Sequence, residues 1–196
     1  MAPVVVLVRH GETEWTLSRQ HTGRTDIPLT DNGRAQAREV SRELASLNLG
    51  LVLSSPMSRA LETARLAGLG AQVQTTEDLM EWDYGDYEGL TTDEIRSKRK
   101  KWSLWLDGAP GGESAAEVGA RADRVIDEAR QVLADAEADV ALFAHGHVLR
   151  VLTARWLGLT PADGRLFALE PATISLLGHE RETAVIRRWN DPAGTS

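Results

Sequence analysis

Short, uninterrupted apolar runs alternate with helical patterns along this chain, and that alternation constrains its fold more than any other feature. The runs at residues 4–8, 51–53 and 139–144 are typical of strands buried on both faces of a sheet. Apolar residues between them recur at steps of three and four, which predicts helices with one buried face. Strands that alternate with helices favour an α/β fold, here a three-layer α/β/α sandwich with a mostly parallel central sheet.

Local signals predict where single elements begin and end. Thr30 is expected to cap a helix, and Pro56 is expected near the first position of the next one, where its missing N–H costs little. The first of these helices carries an apolar face at Ala37, Val40, Leu44 and Leu47. Later helices are predicted through residues 118–132 and 148–156, further strands at 73–75, 174–177 and 185–189, and a loose tail at 191–196.

Length and composition fit one ordinary globular domain. The chain has 196 residues, of which 42% are hydrophobic and 26% charged, and we expect a single domain over residues 1–196. A formal net charge of −7 disfavours nonspecific binding to nucleic acid or to an anionic membrane surface. The absence of cysteine excludes disulfides, thiolate metal sites and a cysteine nucleophile. No apolar run is long enough to cross a bilayer, so a cytoplasmic protein is expected.

The stretch at about residues 76–114 differs in character from the rest of the chain. It is rich in tryptophan and tyrosine and contains a cationic run at residues 98–101. It closes with Gly108, Pro110, Gly111 and Gly112, which are typical of loops. We interpret this stretch as a cap-like excursion from the core, part loop and part helix.

Charged and polar residues follow three of the predicted strands, as Arg9-His10, Ser54-Ser55 with Arg59, and His145-Gly146-His147. Because the carboxyl ends of parallel strands meet at one edge of a sheet, we expect these residues to converge. Arginine presents a fork of donors suited to phosphate oxygens, and the helix N-termini that follow add backbone N–H groups. This predicts a phosphoryl site in which positive charge lowers the pKa of His10, so that it stays neutral and able to attack phosphorus.

Four sequence blocks carry a family resemblance: Arg9-His10-Gly11-Glu12-Thr13-Glu14-Trp15, Leu29-Thr30 through Gly33, Ser54-Ser55-Pro56 with Arg59, and Ala144-His145-Gly146. From residue 4 to about residue 188 the chain resembles the histidine phosphatase superfamily, which is phosphoglycerate mutase-like in fold. The resemblance implies that His10 is the nucleophile and becomes phosphohistidine. It also implies that Arg9, Arg59 and His145 hold the phosphate.

Glu81 looks like the general acid of that family. A departing alkoxide needs a proton, and the water that attacks phosphohistidine must lose one, so a single carboxyl can serve both steps. Apolar neighbours such as Trp82 are expected to raise the pKa of Glu81, which would suit an acid. Two alternatives stay open: Glu81 is a solvated loop residue, or one of Asp83, Asp86 and Glu88 takes the role.

The resemblance also implies contacts to the substrate. Thr16 stands where many members carry an asparagine that contacts phosphate, and its hydroxyl can still donate. His147 either touches the substrate or fixes the turn into the next helix. Arg24 or the run at residues 98–101 is a candidate for contact with a second phosphate, although a solvated helix face is the favoured interpretation of that run. The full set of substrate-binding candidates is Thr16, Thr22, Gly23 through its backbone N–H, Arg24, Tyr84, Gly146 and His147.

Four further segments indicate a narrower branch of the family, because they are similar to sedoheptulose bisphosphatases and to small bacterial acid phosphatases. They are residues 81–89, 102–108, 112–114 and 143–147. The cofactor-dependent phosphoglycerate mutases are longer, have asparagine where His147 stands, and carry an arginine-rich substrate segment that is not found here. We therefore expect hydrolysis of small phosphorylated metabolites, either sugar phosphates or bisphosphates, without a cofactor. Mutase-type phosphotransfer is the alternative.

Two other classes compete with this interpretation. The pair His145-x-His147 could supply two ligands to a metal hydrolase, but a catalytic zinc needs three protein ligands and no third is evident. A catalytically inactive binding module would not require the complete set of catalytic candidates, which is Arg9, His10, Arg59, Glu81 and His145. The expected partner is a small-molecule phosphate ester, and the sequence leaves the physiological substrate and a homodimer open.

Overall fold

A six-stranded sheet runs through the centre of the computed structural model, which describes residues 2–135 and 137–193. Its strands are β1 (Val5–Arg9), β2 (Leu49–Ser54), β3 (Gln74–Thr75), β4 (Asp139–Ala144), β5 (Thr173–Glu180) and β6 (Thr183–Pro192), in the order β3-β2-β4-β1-β5-β6. The first four are parallel, whereas β5 and β6 are antiparallel to their neighbours at one side. The mostly parallel sheet predicted from the alternating pattern is therefore confirmed.

The helices are α1 (Glu14–Leu17), α2 (Asp31–Leu44), α3 (Ser58–Ala64), α4 (Thr92–Lys98), α5 (Leu104–Asp107), α6 (Ala115–Asp135) and α7 (Gly146–Trp156). Four of them, α2, α3, α6 and α7, cover the two faces of the sheet. On one face Val5 and Leu7 of β1 pack with apolar residues of α6 and α7. On the other face Val6 and Val8 pack with α2 and the end of α3. This two-sided burial explains why the run at residues 4–8 shows no polar alternation, and it confirms the three-layer arrangement.

Two helix bounds differ from those predicted. Pro56 does not stand at the first position of a helix, because α3 begins at Ser58 with Met57 as its extended N-cap residue. The helix α2 ends at Leu44, and Leu47 packs against the core from the loop beyond it. Thr30 does cap α2, since its side chain accepts from the third backbone N–H of that helix. The apolar periodicity therefore predicts which residues are buried better than it predicts where a helix stops.

The late strands are longer than their apolar patterns suggested. The strand predicted at residues 174–177 spans Thr173–Glu180, and the one predicted at 185–189 spans Thr183–Pro192. Because β6 pairs with β5 as far as Pro192, the predicted loose tail was wrong for Asp191 and Pro192. Residues 194–196 of that tail lie outside the described part of the chain. Within residues 2–135 and 137–193, no helix combines the length and the apolar character needed to cross a membrane.

The stretch at residues 76–114 shares the core of the protein. It contains short 3₁₀ turns at Glu77–Leu79 and Gly85–Tyr87 together with α4 and α5. Its buried side chains belong to the same apolar cluster as α6, α7 and one face of the sheet: Leu79, Trp82, Tyr84, Ile95, Trp102 and Leu104. Because of this shared cluster, we expect residues 76–114 to unfold together with the remainder of the chain. A single domain over residues 1–196 stays a prediction.

Replacing Trp102 by alanine tests whether residues 76–114 unfold with the rest of the chain. Trp102 is 2% exposed, and its indole Nε1 donates to the Gly108 carbonyl at 2.9 Å. We expect a loss of about 3–5 kcal/mol in unfolding free energy, because a large-to-small core substitution loses apolar burial and leaves a cavity. Urea unfolding followed by far-UV circular dichroism should show one transition with a lower midpoint. A separate early transition, with the main midpoint unchanged, would mean that the stretch is an independent cap.

Candidate active site

The carboxyl ends of three parallel strands meet at one edge of the sheet, as the sequence predicted. Arg9 at the end of β1 pairs with Ala144 of β4, and the His10 backbone N–H donates to the Ala144 carbonyl at 3.0 Å. The Ser55 backbone N–H, which follows β2, donates to a carbonyl of β4 at 2.9 Å. As a result the His10 and His145 rings lie 5.1 Å apart, centroid to centroid.

His10 is held as a neutral imidazole with one free nitrogen. It is 4% exposed, and its Nδ1 lies 2.8 Å from the Gly11 carbonyl oxygen. A carbonyl can only accept, so we assign the proton to Nδ1, which leaves the lone pair on Nε2. Burial lowers the pKa of His10 well below its usual value, and the charges of Arg59 and Arg9 lower it further. The predicted neutral state is therefore supported, with burial as its largest cause.

Arg59 and His145 form a fully buried pair next to His10. The Arg59 Nε donates to His145 Nδ1 at 3.1 Å, and its terminal nitrogens donate to the backbone carbonyls of residues 22, 23 and 25. Because arginine only donates, His145 Nδ1 accepts, and its Nε2–H donates to Ser55 Oγ at 2.8 Å. Ser55 also accepts from a backbone N–H, which leaves its own hydroxyl proton unused. Ser55 lies in a predicted block, yet nothing in the sequence assigns it this role.

Arg9 offers an unused donor at the site. Its Nη1 donates to the Leu169 carbonyl, whereas no described residue accepts from its buried Nε. A buried donor without an acceptor costs free energy, which an incoming phosphate oxygen would offset. Gly146 leaves room for this guanidinium, since a Cβ at that position would lie 3.3 Å from Arg9 Cζ. Arg9 and Gly146 are thus brought together at the predicted phosphoryl site.

Glu81 lies at the N-terminus of α7 and is 4% exposed, so it is not a solvated loop residue. Its carboxylate accepts from the backbone N–H groups of Trp82, His147 and Val148, each at 2.9 Å. Burial raises the pKa of Glu81, but the neighbouring side chains of His147 and His145 and the His147 backbone N–H lower it more, and the net pKa lies well below its usual value. The expected rise caused by Trp82 was therefore wrong, because donors at a helix N-terminus surround the carboxylate.

The other three candidate carboxylates do not share a cavity with His10. Asp83 pairs with Arg24 at 3.3 Å, and Glu88 accepts from the backbone N–H groups of residues 23 and 25. Asp86 is exposed to solvent. The geometry therefore favours Glu81 as the general acid among the alternatives that the sequence left open.

A cavity of about 440 Å³ joins the predicted residues, and its size suits a small phosphorylated molecule. The predicted residues on its wall are Arg9, His10, Thr16, Thr22, Glu81, Tyr84, Gly146 and His147. Arg59 and His145 lie behind this wall, in contact with each other. The wall also includes residues to which the sequence assigned no role, namely Trp15, Arg19, Gln20, His21, Thr92, Arg150, Leu169, Glu170 and Pro171.

Several predicted substrate contacts have other partners or lie elsewhere. The Thr16 hydroxyl donates to the Thr13 carbonyl at 2.7 Å, as part of the cap of α1. The Gly23 backbone N–H donates to the Glu88 carboxylate at 2.9 Å. Neither Arg24 nor the exposed cationic run at residues 98–101 lines the cavity. The groups that bind Thr16 and Gly23 here are a backbone carbonyl and a carboxylate far along the chain. A local sequence pattern shows neither, so it could not exclude the predicted contacts with the substrate.

His147 has both features that the sequence left open. Its backbone N–H stands in the first turn of α7 and donates to Glu81, and its side chain lines the cavity. The side-chain Nδ1 lies 2.7 Å from the Tyr84 hydroxyl oxygen. Burial raises the pKa of Tyr84 well above its usual value, so its hydroxyl stays protonated.

Two arginines that no motif indicated line the same cavity. Arg150 follows His147 by three residues on α7, and its guanidinium stacks on Trp105 with 4.6 Å between Cζ and the ring centroid. It donates to backbone carbonyls, and no carboxylate pairs with it in the described ranges. Arg19 is exposed, has a φ of 60°, and its side chain forms no hydrogen bond or ion pair with a described residue. The spacing from His147 along a helix could have indicated Arg150, whereas no sequence signal marks Arg19.

A metal centre built on His145 and His147 finds no support in the geometry. Both ring nitrogens of His145 have partners, Arg59 and Ser55. In the part of the chain that the structure describes, no three potential ligands among histidine, aspartate and glutamate come together. Catalysis without a metal stays a prediction.

Comparisons with known proteins identify the family of this chain. The family model of the histidine phosphatase superfamily (branch 1) matches residues 5–192. An acid phosphatase of Mycobacterium tuberculosis is 43% identical over 193 residues, covering 96% of this chain and 94% of the relative. The sedoheptulose 1,7-bisphosphatase of Saccharomyces cerevisiae is 36% identical over 187 residues, covering 81% and 69%. A 2,3-bisphosphoglycerate-dependent phosphoglycerate mutase of Brucella melitensis biotype 2 is 35% identical over 174 residues, covering 82% and 84%.

The fold has a close counterpart among solved structures. The structure of the open reading frame Rv3214 from Mycobacterium tuberculosis matches with a TM-score of 0.93 at 39% identity, covering 98% of this chain and 100% of that chain. The predicted phosphoglycerate mutase-like fold is confirmed. With the fold, the sequence blocks and the converging strand ends in agreement, this chain belongs to the histidine phosphatase superfamily, branch 1.

Proposed function

We propose that this chain is a metal-independent phosphomonoester hydrolase that acts on small phosphorylated metabolites through a phosphohistidine at His10. The observation that carries the proposal is a buried, neutral His10 on the wall of a cavity, beside the charges of Arg9 and Arg59. Membership of the family, and similarity to an acid phosphatase and to a sugar bisphosphatase, support hydrolysis.

The first step transfers the phosphoryl group to the protein. Arg9 presents its unused Nε–H to a phosphate oxygen, and the charges of Arg59 and Arg9 stabilise the equatorial oxygens as negative charge shifts in the transition state. The lone pair on His10 Nε2 attacks phosphorus, a P–N bond forms, and the bond to the leaving oxygen breaks. The carboxyl group of Glu81 gives its proton to that oxygen, which departs as an alcohol.

The second step regenerates the protein. Glu81, now a carboxylate, takes a proton from a water molecule, and the water oxygen attacks the phosphorus of phosphohistidine. The P–N bond breaks, inorganic phosphate leaves, and His10 recovers the lone pair on Nε2. The proton on Nδ1 stays bonded to the Gly11 carbonyl in both steps and fixes the ring orientation.

Trapping the phosphoenzyme tests this function. Protein mixed briefly with a phosphate ester labelled in its phosphate should carry a label that is stable in alkali and lost in acid, as phosphohistidine is. Turnover of p-nitrophenyl phosphate should continue in excess chelator. A label that is absent or lost in alkali, or activity that the chelator removes, would contradict the proposal.

The finer substrate class is a metabolite with a second anionic group. Arg150 faces the cavity without a carboxylate partner in the described ranges, and Arg19 lies on the same wall. A guanidinium held in this way is suited to a second phosphate or a carboxylate on the leaving group. The earlier candidates for this contact, Arg24 and residues 98–101, do not line the cavity.

Replacing Arg150 by methionine tests the second-anion contact, and methionine keeps apolar packing against Trp105. We expect kcat/KM for a sugar bisphosphate to fall about 10- to 100-fold, as loss of a charged hydrogen bond predicts, with little change for p-nitrophenyl phosphate. Arg24→Met is the matched control, because Arg24 is half-exposed and lies off the cavity wall. An equal loss on both substrates, or a selective loss in the control, would argue against this role of Arg150.

Mutase-type phosphotransfer is the second candidate, because phosphoglycerate mutases are among the relatives. It predicts interconversion of phosphoglycerates that depends on a bisphosphoglycerate primer, with little release of inorganic phosphate. Hydrolysis predicts phosphate release without a primer.

A cytoplasmic location and a homodimer stay predictions.

A further inference from the structure

The side chain of His147 stands between a tyrosine and the carboxylate that the proposed function uses as an acid. Its Nδ1 lies 2.7 Å from the Tyr84 hydroxyl oxygen and 3.7 Å from Glu81 Oε2. The His147 backbone N–H donates to the same Oε2 at 2.9 Å, which holds the two residues side by side. Both residues line the cavity, and Glu81 is almost fully buried.

Glu81 alone is poorly suited to hold a proton in the free protein. Three backbone N–H groups donate to its two oxygens, and two of them belong to the N-terminus of α7. Each of these donors favours the ionised carboxylate over the neutral acid. The proton that Glu81 takes from water in the second step is therefore released in the free protein, and Glu81 has to be protonated again after the next substrate binds.

We propose that His147 delivers this proton to Glu81 and that Tyr84 orients His147 for the transfer, an inference that rests on the proposed function. A proton from solvent binds Nε2 of the His147 ring, the charged ring closes the 3.7 Å separation to hydrogen-bond distance, and the proton on Nδ1 then moves to Oε2 of Glu81. The ring ends neutral with its proton on Nε2, and Glu81 becomes the neutral acid. Tyr84 can hold Nδ1 in either state, because a hydroxyl both donates and accepts. His147 and Tyr84 are thus positioning residues that act through Glu81.

The charges around this pair explain why the transfer follows substrate binding. Several charged or titratable groups face His147 and Glu81: Arg9 of β1, His10 after β1, His21 after α1, Arg59 of α3, Tyr84, His145 after β4 and Arg150 of α7, with Arg19 and Glu170 on the cavity wall. Burial lowers the pKa of His147, Glu81 raises it, and Arg150 and Arg9 lower it again. A bound phosphate dianion offsets these two arginines, so it favours protonation of His147.

His147→Asn tests the proposal, because the side-chain amide of asparagine can take the place of Nδ1 toward Tyr84 but cannot carry a proton. With an alkyl phosphate as substrate, the rate of phosphoenzyme formation is measured by rapid quench across pH. In the pH profile of this rate, we expect the alkaline limb to move about one pH unit or more toward lower pH. A shift of one unit corresponds to a tenfold lower rate of phosphoenzyme formation at a fixed pH above the limb. Tyr84→Phe should move it in the same direction by less.

The leaving group separates this role from a structural one. p-Nitrophenolate leaves without a proton, so phosphoenzyme formation from p-nitrophenyl phosphate should change little in His147→Asn. An unmoved alkaline limb, or an equal loss with both esters at every pH, would overturn the proposal. Failure of the proposed function would give a different result, because the unsubstituted protein itself would then form no phosphohistidine.

A second measurement needs no substitution. The ring nitrogens of His147 in the full chain can be followed by nitrogen NMR while inorganic vanadate, a phosphate mimic, is added. At a pH where the ring is neutral in the free protein, we expect vanadate binding to give the ring a second proton or, once Nδ1 has passed its proton to Glu81, to leave its single proton on Nε2. A ring that still carries its single proton on Nδ1 when vanadate is bound would overturn the proposal.

Discussion

Replacing His10 by alanine is expected to reduce phosphate release from p-nitrophenyl phosphate by about four to six orders of magnitude, as loss of a covalent nucleophile does elsewhere. The neighbouring histidine cannot replace it. His145 lies only 5.1 Å away, but its Nδ1 accepts from Arg59 and its Nε2–H donates to Ser55, so it has no free lone pair. Steady-state turnover and the acid-labile label should both disappear.

The control for that result is a histidine remote from the cavity. His179 lies on β5, its ring 5.0 Å from that of Trp156, and it does not line the cavity. We expect His179→Asn to keep turnover and label close to those of the unsubstituted protein. If His10→Ala instead retained turnover within about tenfold, a difference worth only about 1.4 kcal/mol in the barrier, a phosphohistidine at position 10 could not be the intermediate.

The layers of the fold could be predicted because burial on both faces leaves a direct trace in the sequence. The run at residues 4–8 is apolar throughout since helices lie against both sides of β1. The extent of β6 left a weaker trace, because its continuation to Pro192 depends on pairing with β5 rather than on apolar residues of its own. Strand ends and helix starts are set by such partners, which a local pattern does not contain.

In the candidate site, too, some features could be predicted from local sequence and others depend on partners distant in the chain. Arg9, His10 and His145 were placed by the rule that parallel strands end at one edge, which needs no side-chain detail. The ionisation of Glu81 was predicted in the wrong direction, because the N–H groups that surround it come mainly from residues 66 and 67 positions later in the chain. Arg150 was missed for a related reason: its place on the cavity wall follows from the orientation of α7.

Replacing Glu81 by glutamine is expected to slow phosphoenzyme formation from an alkyl phosphate by about 10²- to 10⁴-fold, the range typical of a lost general acid. Glutamine keeps the size of the side chain and an oxygen that can accept from α7, but its amide N–H is not acidic enough to act as a general acid. With p-nitrophenyl phosphate the same step should slow far less, because that leaving group departs as a stable anion. The measurement is rapid quench of the labelled protein with both esters.

Asp86→Asn is the matched control, since Asp86 is an exposed carboxylate of the same stretch and does not line the cavity. It should leave the ratio of the two phosphorylation rates unchanged. The helix-terminal charge of Glu81 also contributes about 0.3–1 kcal/mol to stability, so both variants are compared well below their unfolding temperatures. If Glu81→Gln slowed both esters by the same factor, its carboxylate would be holding the start of α7 in place. The acid would then have to be another group on the cavity wall, and the side chain of His147 would be the nearest candidate.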